Sequence, residues 1–184
     1  MESGTLRARD LAYAPFALQN ACQDQIHTQC ASLENLVVRI AKEGADARTR
    51  LELAGLSRSF LTELELHCLD QEADLVPALL EALAGSDAVC IRQMAEKPRA
   101  EHRALESLWR RVRVALEEVI EGVDVELPLM EVAALGSLCE RHVAFEKTEL
   151  LPMAERLLSD QDMVRLAQTM GERRGLRRTC WQEV

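Results

Sequence analysis

Apolar side chains recur every three or four residues over most of the chain, and glycine, proline or a capping residue interrupts this pattern at a few points. A period of this length predicts amphipathic helices. The first predicted helix covers residues 16–43 and ends at Gly44, and the second covers residues 47–84 with a bend at Pro77. The third runs from the turn at residues 85–87 to Gly122 and is kinked at Pro98. The fourth covers residues 128–158, and a short fifth helix covers residues 163–174 after a cap at residues 159–162.

Four long helices joined by short turns, with no alternating strand pattern, predict an all-α fold. We expect an antiparallel up-down-up-down four-helix bundle with a short C-terminal helix. The bundle should cover residues 15–175, after a leader at residues 1–14 and before a tail at residues 176–184. A length of 184 residues suits one such domain.

Composition and charge narrow the classes of partner. The net charge of -9 argues against a nucleic-acid partner, because a polyanion would be repelled. The chain has no apolar run of eighteen residues and no apolar segment at its N-terminus. We therefore expect a cytoplasmic protein that does not associate with a membrane.

The cysteines, one tryptophan and a cluster of arginines are expected to have only structural roles. The six cysteines show no C-x-x-C spacing, so we expect free, packed thiols; ligation or redox chemistry at Cys30 and Cys139 is the less favoured alternative. Trp109 is expected to serve packing. Four arginines, at positions 173, 174, 177 and 178, suit a helix C-terminus and are assigned no partner.

Candidate chemistry lies in a repeat that uses all four histidines. His142 and Glu146 are four residues apart, so on a helix they share one face and can offer a nitrogen and an oxygen to one metal ion. A shift of 75 residues back from His142 gives His67, and the same shift from His102 gives His27. His67 and His142 are each followed by an L-x-P sequence that begins eight residues downstream. In a bundle, one histidine from each of four helices can meet at one level of the core.

The order H…H…H…H-x-x-x-E, with L-x-P after the second and the fourth histidine, resembles the hemerythrin-like HHE cation-binding domains. The resemblance runs from about Phe16 to Gly175 and includes the closing sequence at residues 170–175. It implies a non-haem di-iron centre with two histidines for each iron and two bridging glutamates. Carried over by position, the ligands are His27, His67, His102, His142 and the bridging Glu146.

The second bridge departs from the family pattern, because Gln71 stands four residues after His67. A glutamine offers one neutral oxygen where a carboxylate offers two anionic ones, so affinity for a second ion should fall. A twist or a bulge before Pro77 would turn Asp70 or Glu72 inward, and we prefer Glu72 as the replacement ligand. Two iron ions are therefore expected, with a single ion or an empty site as the alternatives.

The resemblance implies reversible contact between iron and a small diatomic ligand, oxygen or nitric oxide, in sensing, storage or stress response. An apolar wall should keep bulk water out. The alternative is a degenerate bundle that acts through protein contacts, with a homodimer among its forms. A di-iron oxidase or peroxidase is less favoured, so enzyme activity stays open. The expected wall consists of Leu33, Leu64, Leu105, Leu108 and Leu135.

Overall fold

The computed structural model describes the backbone of residues 15–82 and 88–176, and the side chains of residues 15–82 and 96–176. All regular structure in these ranges is helical, which confirms the predicted all-α class. The elements are α1 (Pro15–Glu43), α2 (Ala47–Leu69), α3 (Val76–Ala82), α4 (Ala88–Glu121), α5 (Leu129–Phe145), α6 (Leu151–Leu157) and α7 (Asp160–Arg173), with π-helical segments at Asp70–Leu75 and Glu146–Leu150.

The two π-helical segments join their flanking helices without a break. Helix α2, the first π-helical segment and α3 form one rod, and α5, the second π-helical segment and α6 form another. With α1, α4 and the short α7, the described residues thus form the five predicted helices. The predicted leader and residues 177–184 of the predicted tail lie outside the described residues. No helix within the described part of the chain is long and apolar enough to span a membrane.

Capping and glycine residues set the ends of the helices, as their sequence positions predict. Gly44 follows α1 with a φ of 79°, a left-handed conformation that favours glycine. Asp46 then caps α2, since its side chain accepts a hydrogen bond of 2.7 Å from the Thr49 backbone N–H. At α7, Ser159 and Asp162 form a reciprocal capping box, so the helix begins at Asp160, three residues before the predicted start.

The four long helices pack as a closed ring. Helix α1 contacts α2 and α5, and α4 contacts the same two helices from the other side. Such a ring is consistent with the predicted bundle. The antiparallel order of the four helices stays a prediction.

The core has two apolar clusters with a polar layer between them. The first cluster fills the bundle between α1, α2, α4 and α5 and contains all five leucines of the expected apolar wall, while Trp109 packs in it against Phe60 with ring centroids 4.7 Å apart. The second cluster joins α3, α6 and α7 and includes Leu75, Leu150 and Met170. Buried polar side chains lie between the two clusters, namely His67, Asp70 and Gln71 on one rod and His142 and Glu146 on the other.

Helix α7 is tied to the first π-helical segment by ion pairs. Arg173 binds both Asp70 and Asp74, and Arg174 Nη2 lies 2.5 Å from Asp70 Oδ2. Asp70 is completely buried. These arginines therefore have partners that sequence analysis did not assign, because the aspartates lie about 100 residues earlier and meet them only through packing of α7.

Removal of the Asp70 charge should destabilise the fold. We expect Asp70→Asn to lower the free energy of unfolding by roughly 3 kcal/mol or more, because two arginines lose a buried counter-charge. The exposed Asp24, which pairs with Lys147 at 2.6 Å, provides the control. Asp24→Asn should cost less than about 1 kcal/mol. Urea unfolding of both variants measures this, and equal costs would contradict the structural role of Asp70.

Candidate metal centre

Three imidazoles and one carboxylate meet in the polar layer between the apolar clusters. His67 lies on α2, His102 on α4 and His142 on α5, and Glu146 opens the second π-helical segment. Each of the four side chains is at most 2% exposed. One nitrogen or oxygen atom from each residue lies within 4.8 Å of all the others. The four donors therefore share one small volume.

The distances between these donor atoms match those between ligands of one ion. His142 Nε2 lies 3.0 Å from both His67 Nε2 and His102 Nε2, and 2.6 Å from Glu146 Oε1. His67 Nε2 lies 3.2 Å from the same Glu146 oxygen. At a metal–ligand distance of roughly 2.1 Å, neighbouring corners of an octahedron are roughly 3 Å apart. The residues present therefore fit a single metal ion.

Two outer carboxylates fix the direction of two of the rings. His142 Nδ1 lies 2.8 Å from Glu101 Oε2, and His102 Nδ1 lies 2.7 Å from Glu72 Oε1. A neutral imidazole has only one N–H, and at these distances it lies on Nδ1 and donates a hydrogen bond to the carboxylate. The Nε2 lone pair of each ring is then left for the centre. Metal-binding histidines commonly have such a carboxylate on the outer nitrogen.

Burial and the neighbouring carboxylates set the protonation of the group. Burial lowers the pKa of His102 to about 4, and the neighbouring imidazoles add to this effect. Burial also acts to lower the pKa of His142, but hydrogen bonds and charge from Glu146 and Glu101 outweigh it and the pKa is raised. Although burial opposes ionisation of Glu146, the charges and hydrogen bonds of His67 and His142 hold its pKa well below the ordinary range. An ionised carboxylate therefore lies among the imidazoles.

Both π-helical segments shape this layer. Glu146, four residues after His142, is the first residue of one segment, and Gln71, four after His67, is the second residue of the other. Each segment ends two residues before a proline, Pro77 or Pro152. Proline has no N–H and its ring collides with the carbonyl four residues earlier, so a wider turn before it relieves the conflict. The bulge considered before Pro77 is present.

The structure does not bring His27 to the centre, which corrects the expected four-histidine set. His27 is exposed on α1, while Gln23 is completely buried and its Nε2 donates a hydrogen bond of 2.6 Å to Glu146 Oε2. At 3.6 residues per turn, His27 lies about 40° beyond Gln23, past the edge of the buried face. Ile26, its neighbour in sequence, occupies that face instead.

None of the residues considered for the second bridging ligand lies where the sequence analysis expects it. Gln71 is completely buried, and neither its Oε1 nor its Nε2 has a hydrogen-bond partner among the described residues. Glu72 does not turn toward the centre. Its carboxylate stands behind His102, with 38% of the side chain exposed. Asp70 is engaged by the arginines of α7 and its C-terminal end.

Sequence reasoning missed Gln23 and Glu101. Gln23 is a neutral amide outside the histidine repeat, and the only sequence signal for it is its place on the buried face of α1. Glu101 directly precedes His102 in sequence but contacts His142 on another helix. No spacing rule within one helix would show that contact.

The described cysteines agree with the packing role that the sequence predicts. Cys22, Cys30, Cys68 and Cys139 are free thiols, and the first, second and fourth are buried. Burial raises the pKa of Cys22 to about 12 and also raises that of Cys68. For Cys139, the contact with Cys30 and burial both raise the pKa. Thiolate, the form that binds metals, is therefore disfavoured at these positions.

The low pKa of His102 predicts a pH dependence of stability in the metal-free protein. The folded-state pKa of about 4 lies below the ordinary 6.5, so the neutral ring stabilises the fold above pH 6.5, and this contribution is lost as the pH falls toward 4. Between pH 7.5 and pH 5 it should fall by about 2 kcal/mol. Urea unfolding of wild type and His102→Gln at both pH values isolates it. A difference between the two proteins that does not change with pH would contradict the burial of a neutral His102.

The comparison with known proteins agrees with this geometry. The family model described as the hemerythrin HHE cation binding domain matches residues 17–154, a range that contains His67, His102, His142 and Glu146. No curated protein matches the chain, and no solved structure does. Because the match covers most of its length, the chain belongs to the hemerythrin HHE cation-binding domain family.

Proposed function

We propose that this protein binds iron through His67, His102, His142 and Glu146, and that the iron reversibly meets a small diatomic ligand, oxygen or nitric oxide. The observation that carries the proposal is the convergence of these four donors at about the spacing of ligands around one ion. Imidazole nitrogens together with a carboxylate suit iron among the metals that such sites bind. Membership of the HHE family supports the same choice.

The chain's own residues would hold and protect such an ion. Iron, when bound, supplies a Lewis-acidic centre with coordination positions that four protein ligands leave open. Glu72 and Glu101 hold the rings of His102 and His142 with their Nε2 atoms inward. The apolar cluster beside the layer limits the access of bulk water and keeps the ligand environment dry. These features favour binding of a small, weakly polar ligand.

The proposed role is cytoplasmic sensing, storage or stress response rather than enzymatic turnover. A group of mostly neutral nitrogen donors stabilises oxidised metal less than a carboxylate-rich group would. The single inner carboxylate, Glu146, supports this choice over an oxidase.

A bundle with a degenerate site that acts through protein contacts is the second candidate. Its support is Gln71, a neutral amide at the position where the family pattern has a bridging glutamate. This candidate and the first differ in one measurable property, because only the first requires the centre to bind a metal.

Iron titration of matched histidine variants tests the proposal. We expect chelator-treated wild type to bind iron(II) near-stoichiometrically under anaerobic conditions, His142→Ala to lose the binding, and His27→Ala to keep it. His142 is the donor closest to all the others, while His27 is exposed. Elemental mass spectrometry after desalting measures the iron content of each protein. No iron in wild type, or equal content in both variants, would favour the degenerate bundle.

The outer carboxylates should tune the affinity of the centre. Glu101→Gln should weaken iron(II) binding by roughly 10- to 100-fold, because the His142 ring loses its charged partner. Glu118→Gln, an exposed change on the same helix α4, is the control and should leave the affinity unchanged. Competition with a chelator of known affinity measures both. Equal affinities would show that Glu101 does not position the ring.

A further inference from the structure

We propose that each chain holds one divalent cation, and that the carboxamides of Gln23 and Gln71 form a neutral half-site where the family resemblance implies a second ion. The inference rests on the proposed metal binding and specifies its stoichiometry. It concerns the contacts of Gln23 and Gln71, which the resemblance to the family does not supply.

The three buried imidazoles point to one place. His67 and His102 both approach His142 Nε2 within 3.0 Å. The chain has four histidines, and the remaining one, His27, is exposed on α1. Among the described residues, no second group of histidine, cysteine or acidic side chains forms a buried donor set. A second ion a few Å away would have no imidazole of its own.

The inner carboxylate, Glu146, does not have both oxygens free to bridge two ions. Glu146 Oε1 faces His142 and His67, whereas Oε2 accepts a hydrogen bond of 2.6 Å from Gln23 Nε2. A carboxylate that bridges through both of its oxygens offers one to each cation. The Gln23 amide N–H already occupies Oε2, so that oxygen is not available to a second ion.

The charge of the buried layer also disfavours a second ion. Two divalent ions beside the single inner carboxylate would place three uncompensated charges in a layer that is at most 2% exposed, whereas one ion leaves a single charge. Glu72 and Glu101, on the outer nitrogens, lower both totals, but their side chains are 38% and 21% exposed, so solvent screens their charge and one ion stays closer to neutrality than two. Buried charge without a counter-charge is strongly unfavourable, so the second ion is the one excluded.

The amides have free hydrogen-bonding capacity for another occupant. Gln71 Oε1, Gln71 Nε2 and Gln23 Oε1 are buried without a partner among the described residues. Leaving such groups unpaired is costly, so a water molecule or a small polar ligand should pair with them. The half-site thus suits a neutral ligand that both accepts and donates hydrogen bonds.

Cobalt(II) provides the direct test, because a single high-spin ion and an exchange-coupled pair give different electron paramagnetic resonance spectra. Wild type, freed of metal and titrated anaerobically with cobalt(II), should bind one ion per chain and show one uncoupled spin per chain. Two ions with a coupled signal would overturn the inference and leave the proposed metal binding intact. No bound cobalt and no bound iron would overturn both.

A double variant tests the role of the amides themselves. Gln23→His combined with Gln71→Glu should double the metal content to two ions per chain, because it supplies an imidazole and a second carboxylate. The control is Gln25→His, which adds a histidine to the exposed face of α1 and should leave one ion per chain. Thermal unfolding monitors the fold of each variant. If the double variant is folded and still binds one ion, the amides do not determine the stoichiometry.

Discussion

The structure depends on one buried arrangement, in which three imidazoles and a carboxylate are held at hydrogen-bonding distance inside an apolar bundle. With Nδ1–H directed to outer carboxylates, His102 and His142 turn their Nε2 lone pairs toward each other at 3.0 Å. Lone pairs at that distance repel, and Glu146 adds an anionic oxygen. A proton on His142, whose pKa Glu146 and Glu101 raise against the effect of burial, or a metal ion at the common centre turns this repulsion into attraction.

The backbone around the layer is shaped to hold these groups. Each π-helical segment adds an extra residue to a turn before a proline, and the two segments carry Gln71 and Glu146, which lie 75 residues apart and so correspond in the repeat. The first segment is also fixed from outside, because Arg173 and Arg174 bind its buried Asp70. Helix α7 thus stabilises a segment next to the centre without contributing a donor. Wide helical turns of this kind often occur at functional sites, and here the prolines give them a physical cause.

Most of the fold could be predicted from local sequence features. The period of apolar residues gave the helices, and Gly44 and Asp46 marked a boundary that the structure confirms. The H-x-x-x-E spacing predicts that His142 and Glu146 share a face, and their side chains lie 2.6 Å apart. These predictions succeeded because each depends on contacts within one helix.

The errors arise where contacts between helices determine which side chains face the interior. His27 fitted the 75-residue repeat, but a rotation of about 40° around α1 puts it on the surface and Gln23 inside. Glu72 was expected to replace a bridge and instead supports His102 from behind. The partners of Arg173 could not be foreseen, because no local pattern relates it to residues so distant in sequence. The rotation of each helix about its axis was thus the main quantity that the sequence left open.

Anomalous diffraction from a crystal of the iron-loaded protein, recorded on both sides of the iron absorption edge, tests the central claim most directly. We predict one anomalous peak per chain, within bonding distance of the Nε2 atoms of His67, His102 and His142 and of Glu146 Oε1. A peak bound to His27 or elsewhere on the surface, with no density at the buried group, would contradict the account.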